Sequence, residues 1–480
     1  MSRRSLFAIL LLVAVGMASP DIREASAGNG CTPRSRDSDH DRIPDCWERR
    51  NGLRVGSKDG HTDKDRDSLT ARQEYLIDLW STDDSLFLPY RADDPYSIRP
   101  KDFVDGYEDL DGDGFFNAAE FTWGTDPLDG TSLPLLPAAG CITVPDRVPS
   151  DGSTNVTRQL QTVIDTVPDG RCLELAAGAR YRSNGRLKIY ERHDFTVFGN
   201  GASLFTNKAG QVVYTDDADH SHRQHLWIAG GSNITVEDLL INGPNEKGTY
   251  VAVLEFEAGV KVSGTQGAVL RDLRIKETHG DFVQVSDWDT TSGPVPARDV
   301  LITGGNFDRA GRVAVDLSEG GEDIVIDGNS FDGTARSGIT LEMLPNKHIN
   351  GLVVSNNTFS DIGFFWAGAS GRGTATDVSF IGNQLIGETI RTKVGTERGS
   401  GLRHTNWTFD SNVSDTYLRG NTPIFDLRSV DGFVVVGNVQ AFYPGNDGIV
   451  FEIEDVCDVT VGENSFEGWA VLFAPEPPTC

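Results

Sequence analysis

Basic charge is scarce in this chain. Its 43 Lys and Arg face 71 Asp and Glu across 480 residues, a formal net charge of −28. A protein held on a phosphate backbone needs a cationic surface, so nucleic acid is excluded as a partner. Methionine is limited to 3 residues and cysteine to 6, with no Cys-x-x-Cys pair and no Cys/His cluster, which argues against thiolate zinc sites. Beyond Ala18 no apolar run approaches the roughly 18 residues needed to cross a bilayer, so no membrane span is expected. With 38% hydrophobic residues the chain still carries too much apolar side chain to stay disordered. Its length exceeds what one compact core organises and points to several units or one elongated repeat.

Ser2-Arg3-Arg4, an apolar run from Leu6 to Ala18 and the small-x-small triplet Ala25-Ser26-Ala27 together predict an export signal over residues 1–27. A secreted protein is therefore expected, and the paired arginines also allow twin-Arg export. All six cysteines follow the predicted cut, and an even number in an exported chain reads as disulfides. Proximity along the chain pairs Cys31 with Cys46, Cys141 with Cys172 and Cys457 with Cys480; other connectivities stay open.

Residues 31–130 hold three acidic segments with one spacing. Asp37, Asp39, Asp41, Asp45 and Glu48 stand at positions 1, 3, 5, 9 and 12 of a twelve-residue loop. Asp63, Asp65, Asp67 and Glu74 fill positions 1, 3, 5 and 12 of a second, which has Ser68 at position 6 and Ala71 at position 9. Asp109, Asp111, Asp113, Asn117 and Glu120 fill 1, 3, 5, 9 and 12 of a third, with Gly114 at the sharp turn of position 6. Ca²⁺ takes about six to eight oxygens at ~2.3–2.6 Å, and alternate side chains of a tight loop converge on one point. Position 7 (Ile43, Leu69, Phe115) would add a backbone carbonyl and turn its apolar side chain inward, and the closing Glu would be bidentate. Without the ion the clustered carboxylates repel one another, so the module is expected to fold only with calcium.

The segments DSDHDRIPDCWE, DKDRDSLTARQEY and DLDGDGFFNAAEFTWGTDPLDG resemble thrombospondin type 3 repeats and the related calcium loops of secreted bacterial proteins. That resemblance implies structural calcium and a spacer or docking role. The module has 13 Lys and Arg against 24 Asp and Glu, and the chain beyond it is also acidic.

From about residue 140 a unit recurs: a short apolar alternation, a Gly or polar residue, then Asn, often with Phe or Leu two residues on. It is seen in EDIVIDGNSF, NGLVVSNNTF, DVSFIGNQL, NWTFDSNVS, DGFVVVGNVQ and CDVTVGENSF, and earlier in DFTVFGNGA. The marker positions are Asn200, Asn329, Asn357, Asn383, Asn412, Asn438 and Asn464, with Leu239, Leu273 and Gly305 in the same phase. From Gly305 onward the steps are 24, 28, 26, 29, 26 and 26 residues. Period-two alternation predicts strands. A period near 26 fits one coil of a parallel β-helix, with about three short strands per turn. The Asn is expected to adopt the left-handed corner backbone and to stack on its copies as an amide ladder. A β-sandwich of irregular hairpins is the competing fold.

Residues of about 150–480 thereby resemble the right-handed parallel β-helix proteins of the pectin-lyase-like superfamily. HGDFVQVSD, DRAGRVAVDLSEGGEDIVIDGNSF and ARSGITLEMLPN look like secreted bacterial β-helix repeat proteins without an agreed activity. The superfamily implies lyases, hydrolases and epimerases acting on acidic polysaccharides, beside non-enzymatic adhesins and tailspikes. Gly170–Tyr181 looks like the usual first strand, and Thr157–Thr166 like the helix that caps the open core.

The early steps are longer, 39, 34 and 32 residues, and such excursions build groove walls. In these coils one strand repeats with ionisable residues: Asp281, then Arg312 and Asp316, then Arg336 and Glu342. In register, strands lie ~4.8 Å apart. Asp281, Arg312 and Arg336 would then form a column, with Asp316 and Glu342 further along. A lyase would use the arginines to neutralise a uronate, with Lys276, His279 or an arginine as base. A hydrolase would use two of Asp281, Asp316 and Glu342. The same column also reads as a plain ion-pair ladder.

Trp227, Trp288 and Trp366 offer sugar-stacking or packing faces. Arg274-Ile275-Lys276 matches a triplet of pectin hydrolases without their accompanying motifs. His220, His222 and His225 are of metal-ligand type but read as loop residues. Sequons at Asn155, Asn233, Asn356, Asn406 and Asn412 matter only in a glycosylating host.

The expected protein is thus all-β: a right-handed parallel β-helix over 140–480 behind a small Ca²⁺-loop module over 31–130. It is expected to be a secreted monomer acting on polysaccharide as a lyase or glycoside hydrolase; the alternative is a non-catalytic glycan-binding or cell-surface adhesion protein.

Overall fold

The computed structural model describes residues 31, 34–62, 64, 69–80, 109–113, 115–133, 139–208, 223–290, 293–397, 400–418, 423–442, 450–467 and 473–474. The predicted export signal, Asp63, Asp65, Asp67, His220 and His222 lie outside them. The chain divides into two compact units, Met1–Pro134 and Leu135–Cys480.

In the first unit each acidic segment runs into a short helix, Asp45–Arg50, Ala71–Trp80 and Asn117–Trp123. Every one of these helices carries a carboxylate in its first turn, where the helix dipole favours negative charge. Ile43, Trp47, Leu53, Ala71 and Tyr75 form one apolar cluster, and Leu69, Ile77 and Ala118 another. Position 7 of the first two loops, Ile43 and Leu69, does point inward, with no exposed surface. Cys31 is bonded to Cys46.

The second unit is a parallel β-solenoid of about ten turns. Each full coil gives three strands, for example Val313–Ser318, Gly321–Asp327 and Ser330–Thr334, before Ser337–Met343 begins the next. Val313–Ser318 pairs in parallel with Ser337–Met343, Gly321–Asp327 with His348–Ser355, and Ser330–Thr334 with Thr358–Ile362. These define a first, second and third face. Among the described strands the antiparallel pair is the hairpin Trp288–Thr290/Gly293–Val295, an insertion, so the sandwich alternative fails.

Alternation decides what is inside. On the first face Val285, Leu317, Leu341 and Ala369 are in register and buried, while the residues between them point outward. On the third face Phe307, Phe331 and Phe359 stack with ring centroids 4.9 and 5.0 Å apart. The helix Thr157–Thr166 buries Leu160, Val163 and Ile164 beside the first coils. Two strands precede Gly170–Tyr181, where the first was expected: Ile142–Thr143 pairs with Cys172–Glu174, and Asp151–Asn155 with Arg180–Arg182. Cys141 is bonded to Cys172 across this first step, and Cys457 is disulfide-bonded as well; its expected partner Cys480 lies outside the described residues.

Six of the marker asparagines form a continuous ladder. The side-chain Nδ2 of Asn329, Asn357, Asn383, Asn412 and Asn438 donates to Oδ1 of the next at 3.0, 3.1, 2.8, 2.9 and 3.1 Å. The same Oδ1 accepts the backbone N–H of the Asn one coil before, and Nδ2 also reaches a carbonyl, as from Asn383 to Val354 at 2.9 Å. Two expectations are corrected here. The left-handed corner belongs to the residue before the ladder Asn: Gly328, Asn356, Gly382, Ser411 and Gly437 have positive φ, and the ladder residues do not. Asn200 is off phase; Ala202 precedes the strand as Leu239 does, and Asn200 instead bonds the Leu175 carbonyl. The sequon at Asn412 is sealed inside the ladder.

A buried ladder amide cannot be replaced by a shape match without orphaning backbone groups. Asn383→Leu strands the Asn357 N–H and the Val354 carbonyl, and is expected to cost about 3 kcal/mol. Asn464→Ala, at the partly exposed end of the ladder, is expected to cost under about 1 kcal/mol. Urea unfolding midpoints of the two variants check this ordering, and equal shifts contradict it.

Candidate functional site

The first face carries a groove of about 730 Å³ between Arg312 and Arg428. It exists because the strand Phe365–Gly371 shows Gly368 and Ser370 where neighbouring coils show Thr340, Glu342, Lys393 and Arg428. Arg312, Arg336, Glu342 and Phe364 line one side. Lys393, paired with Asp426 at 3.3 Å, and Arg428, paired with Glu454 at 2.9 Å, stand on the other. Phe364 exposes 57% of its surface, while Trp366 is buried against Phe359 and Phe380. Trp227 and Trp288 pack on each other at 5.0 Å, with Arg186 over the Trp227 ring.

Arg312 is the hub. Its Nη1 lies 2.9 Å from Asp281 Oδ2 and 3.2 Å from Asp316 Oδ2, its Nη2 bonds Glu342 Oε2, and its Nε lies 3.7 Å from Glu255 Oε2. The expected column needs adjustment. Arg312 and Arg336 are in register, but Asp281 lies beside Val313, whose N–H it accepts at 3.1 Å. Asp316 is in register with Thr340, whose hydroxyl it accepts at 2.8 Å, and Glu342 with Ser318. Asp281 and Asp316 are sealed beneath the guanidinium at 0% and 1% exposure. Glu342 is 45% exposed and faces the groove. Arg336 packs its guanidinium on the ring of Tyr250, 4.6 Å from its centroid.

One cation cannot neutralise four carboxylates. Burial pushes the Asp281 carboxyl well above the usual range, although Arg312 pulls it down. Glu342 is also raised, first by desolvation and then by Asp316, against the pull of Arg312. Burial works to discharge Arg312, but Asp281, Asp316 and Glu342 outweigh it and hold it charged.

The sequence reading did not identify Glu255, Tyr250 or Phe364. Glu255 and Tyr250 sit in the 34-residue step already marked as a wall-forming excursion, after the strand Leu240–Asn242. Gly280 admits this excursion: a Cβ there would lie 2.3 Å from the Glu255 carbonyl oxygen. Lys276 and the Arg274-Ile275-Lys276 triplet lie on the third face, with Ile275 in the core. His225 and His279 are buried, and burial beside Arg223 keeps both rings below the usual histidine range.

In the first unit, carboxylate oxygens of Asp37, Asp39 and Asp41 lie within 4.8 Å of one another, as do those of Asp41, Glu48 and Asp59, and of Asp109, Asp111 and Asp113. Asp59 was not among the expected ligands. Glu48 and Glu120 are fully buried, and neither carboxylate has a hydrogen-bond partner among the described residues. Burial and the neighbouring aspartates push Glu48 up to about 7 and Glu120 up to about 8. Glu74, the closing residue of the second loop, is buried too. The position-9 residues do something else: Asp45 accepts the Ser38 N–H at 2.6 Å and Asn117 the Leu110 N–H at 3.4 Å. Both brace position 2 of their own loop.

Asp281 supplies a pH test. Folded, its carboxyl holds a proton to higher pH than in the unfolded chain, which releases it above pH ~4. The native state then binds more protons than the unfolded one, so this group's contribution to stability falls as pH rises from ~4 through its folded pKa. Asp281→Asn is expected to remove that part of the fall. Urea unfolding of wild type and variant between pH ~4.5 and ~8 measures it; parallel curves contradict a protonated Asp281.

No family model matches the chain, and no curated protein matches it. Solved structures do. One is PfbA, a surface adhesin of Streptococcus pneumoniae, at 14% identity and a TM-score of 0.46, covering 69% of this chain and 92% of that one. Another is the N-terminal fragment of bacteriophage Phi29 gene product 12, at 13% and 0.52, covering 67% and 57%. A third is the polygalacturonase from Erwinia carotovora ssp. carotovora, at 11% and 0.40, covering 71% and 98%. At these identities the likeness is one of fold: the chain is a parallel β-helix.

Proposed function

We propose that this is a secreted, calcium-stabilised glycoside hydrolase whose β-helix groove holds a polysaccharide. The carrying observation is Glu342, a half-exposed carboxyl raised by its surroundings, facing a groove with an exposed aromatic ring and four arginines. A glycosidic oxygen leaves only when protonated, and Glu342 is the group placed to give that proton. Phe364 would stack on a sugar face, and Arg336 would bind its hydroxyls or a carboxylate. Asp281 and Asp316 would act through Arg312, holding it in place. Of the bases a lyase could use, Lys276 lies on another face and His279 is buried, which leaves it only an arginine of the groove.

A second reading has its own support. Lys393–Asp426, Arg372–Glu397 and Arg428–Glu454 neutralise the groove rim pair by pair, as suits a surface that holds glycan without cutting it. Incubation with a panel of neutral and acidic polysaccharides, following reducing ends and unsaturated uronates, separates the readings. Reducing ends alone are expected, falling by about 10²–10⁴-fold in Glu342→Gln. Binding without turnover would establish the adhesin reading, and unsaturated products a lyase.

For the first unit, Glu48 and Asp59 would close a calcium ion over Asp37, Asp39 and Asp41, with Glu120 doing the same over Asp109, Asp111 and Asp113. Asp63, Asp65, Asp67 and Glu74 would serve a third ion. Buried carboxylates lacking a donor are what a hard cation satisfies. Free calcium at about 100 times Kd is expected to add about 2.7 kcal/mol per occupied site to the module. In the full chain, chelator should open residues 31–130 to protease and leave the solenoid intact; an unchanged digest would overturn the ion sites.

A further inference from the structure

We infer that Glu255, carried by the excursion that follows Leu240–Asn242, is the second catalytic carboxylate of the groove, with Tyr250 as its positioning residue. This rests on the hydrolase reading and adds the residue that reading leaves open. The acid Glu342 needs a partner that faces the same space, and Asp281 and Asp316 do not, being sealed under Arg312. Glu255 lines the groove with 19% of its side chain exposed.

Its position is fixed from three directions. Arg312 Nε lies 3.7 Å from Oε2, the Tyr250 hydroxyl donates to the same Oε2 at 2.6 Å, and Gly280 leaves room for the backbone above the coil. Tyr250 is itself held by Arg336 across its ring. The Tyr250 hydroxyl keeps its proton, since desolvation and the hydrogen bond to Glu255 both raise it, so it serves as the donor to Glu255 Oε2.

The geometry also selects a role. Nε and Nη2 lie on one edge of a guanidinium, and Glu255 and Glu342 both approach that edge of Arg312. Carboxylates that share one guanidinium edge are neighbours, and we therefore assign Glu255 the part of a nucleophile, which works at about 5–5.5 Å, rather than of a base acting through water at about 6.5–9.5 Å. Glu255 Oε would form a bond to the anomeric carbon as the C–O bond to the leaving sugar breaks, and Glu342 would give its proton to that oxygen. Water would then add to the anomeric carbon, the ester bond to Glu255 would break, and Glu342 would take the proton back. The sum is one water consumed and one glycosidic bond cleaved.

Dinitrophenyl glycosides of glucose, galactose, N-acetylglucosamine and galacturonic acid, in both anomers, are the probe, because their leaving group needs no acid. On the sugar the wild type accepts, Glu342→Gln is expected to release dinitrophenolate in a burst of about one per enzyme and then turn over slowly, because the second step lacks its base, whereas Glu255→Ala and Glu255→Gln lose the burst and release about 10³-fold more slowly. Azide should restore Glu255→Ala and yield a glycosyl azide, which a merely structural residue would not do. Tyr250→Phe should shift the pH profile of kcat while unfolding stays near wild type. Glu255 variants within about threefold of wild type, with Glu342→Gln impaired on polysaccharide, overturn the assignment and leave the hydrolase reading standing. No turnover by wild type on either these probes or the polysaccharide panel overturns both.

Discussion

Register between coils is the constraint on which the rest of this structure depends. Backbone pairing in a parallel sheet tolerates a slip of two residues along the strand almost as well as the correct alignment, because either keeps the same side chains inside. The asparagine ladder does not. Each ladder amide must meet the next Oδ1 and a carbonyl further back at hydrogen-bond distance, so a slip anywhere between Asn329 and Asn464 would leave buried polar groups without partners. The stacked Phe307, Phe331 and Phe359 only require apolar contact and permit more error. Polar satisfaction thus sets the alignment and apolar burial supplies the driving force.

With register fixed, residues some 24 to 32 apart in sequence become neighbours, and the groove follows. Its depth comes from missing side chains at Gly368, and its charge from Arg312 lying where side chains of successive coils converge. Having taken Asp281 and Asp316 beneath it, the guanidinium cannot swing into solvent without exposing a sealed carboxyl pair to an apolar surrounding. That gives the groove a fixed guanidinium, against which Glu342 and Glu255 are placed.

Much of this was legible in the sequence, and the failures share a cause. Repeating Asn and alternating apolar residues announced the coil, the strands and the ladder, because those features obey a period. Phase also put Asp281, Arg312, Asp316, Arg336 and Glu342 on one stretch of the coil, but as a column with Asp316 and Glu342 further along, not as a cluster around Arg312. Asp281 was still placed in the wrong column, since the segments HGDFVQV and GRVAVDL align by their valines and not by their charged residues. Left-handed φ was assigned to the Asn rather than to the residue before it, because Gly, Asn and Ser share that place with no single sequence mark. Glu255 obeys no period at all. It reaches Arg312 through the path of an insertion, and only Gly280, a small residue in a strand-edge position, hinted that another backbone passes close by.

The same electrostatic problem is met twice in this chain and resolved differently. In the groove four carboxylates crowd into little space, and the solenoid provides a cation of its own because a coil can place an arginine under any neighbouring coil. The acidic loops have no such option. Their carboxylates are gathered by local turns, each Asp accepting N–H groups two to five residues on, and a tight loop leaves no room for a long cationic side chain at its centre. Lys64 reaches Asp59 from outside, at 3.1 Å, but Glu48 and Glu120 have no donor among the described residues. We propose that the charge the loop does not supply from within comes from solution, as a small hard cation. An internal guanidinium makes a site that is permanent and can be tuned for chemistry, whereas a borrowed ion makes one that responds to its surroundings. The chain uses the first where we place catalysis and the second where we place structural calcium.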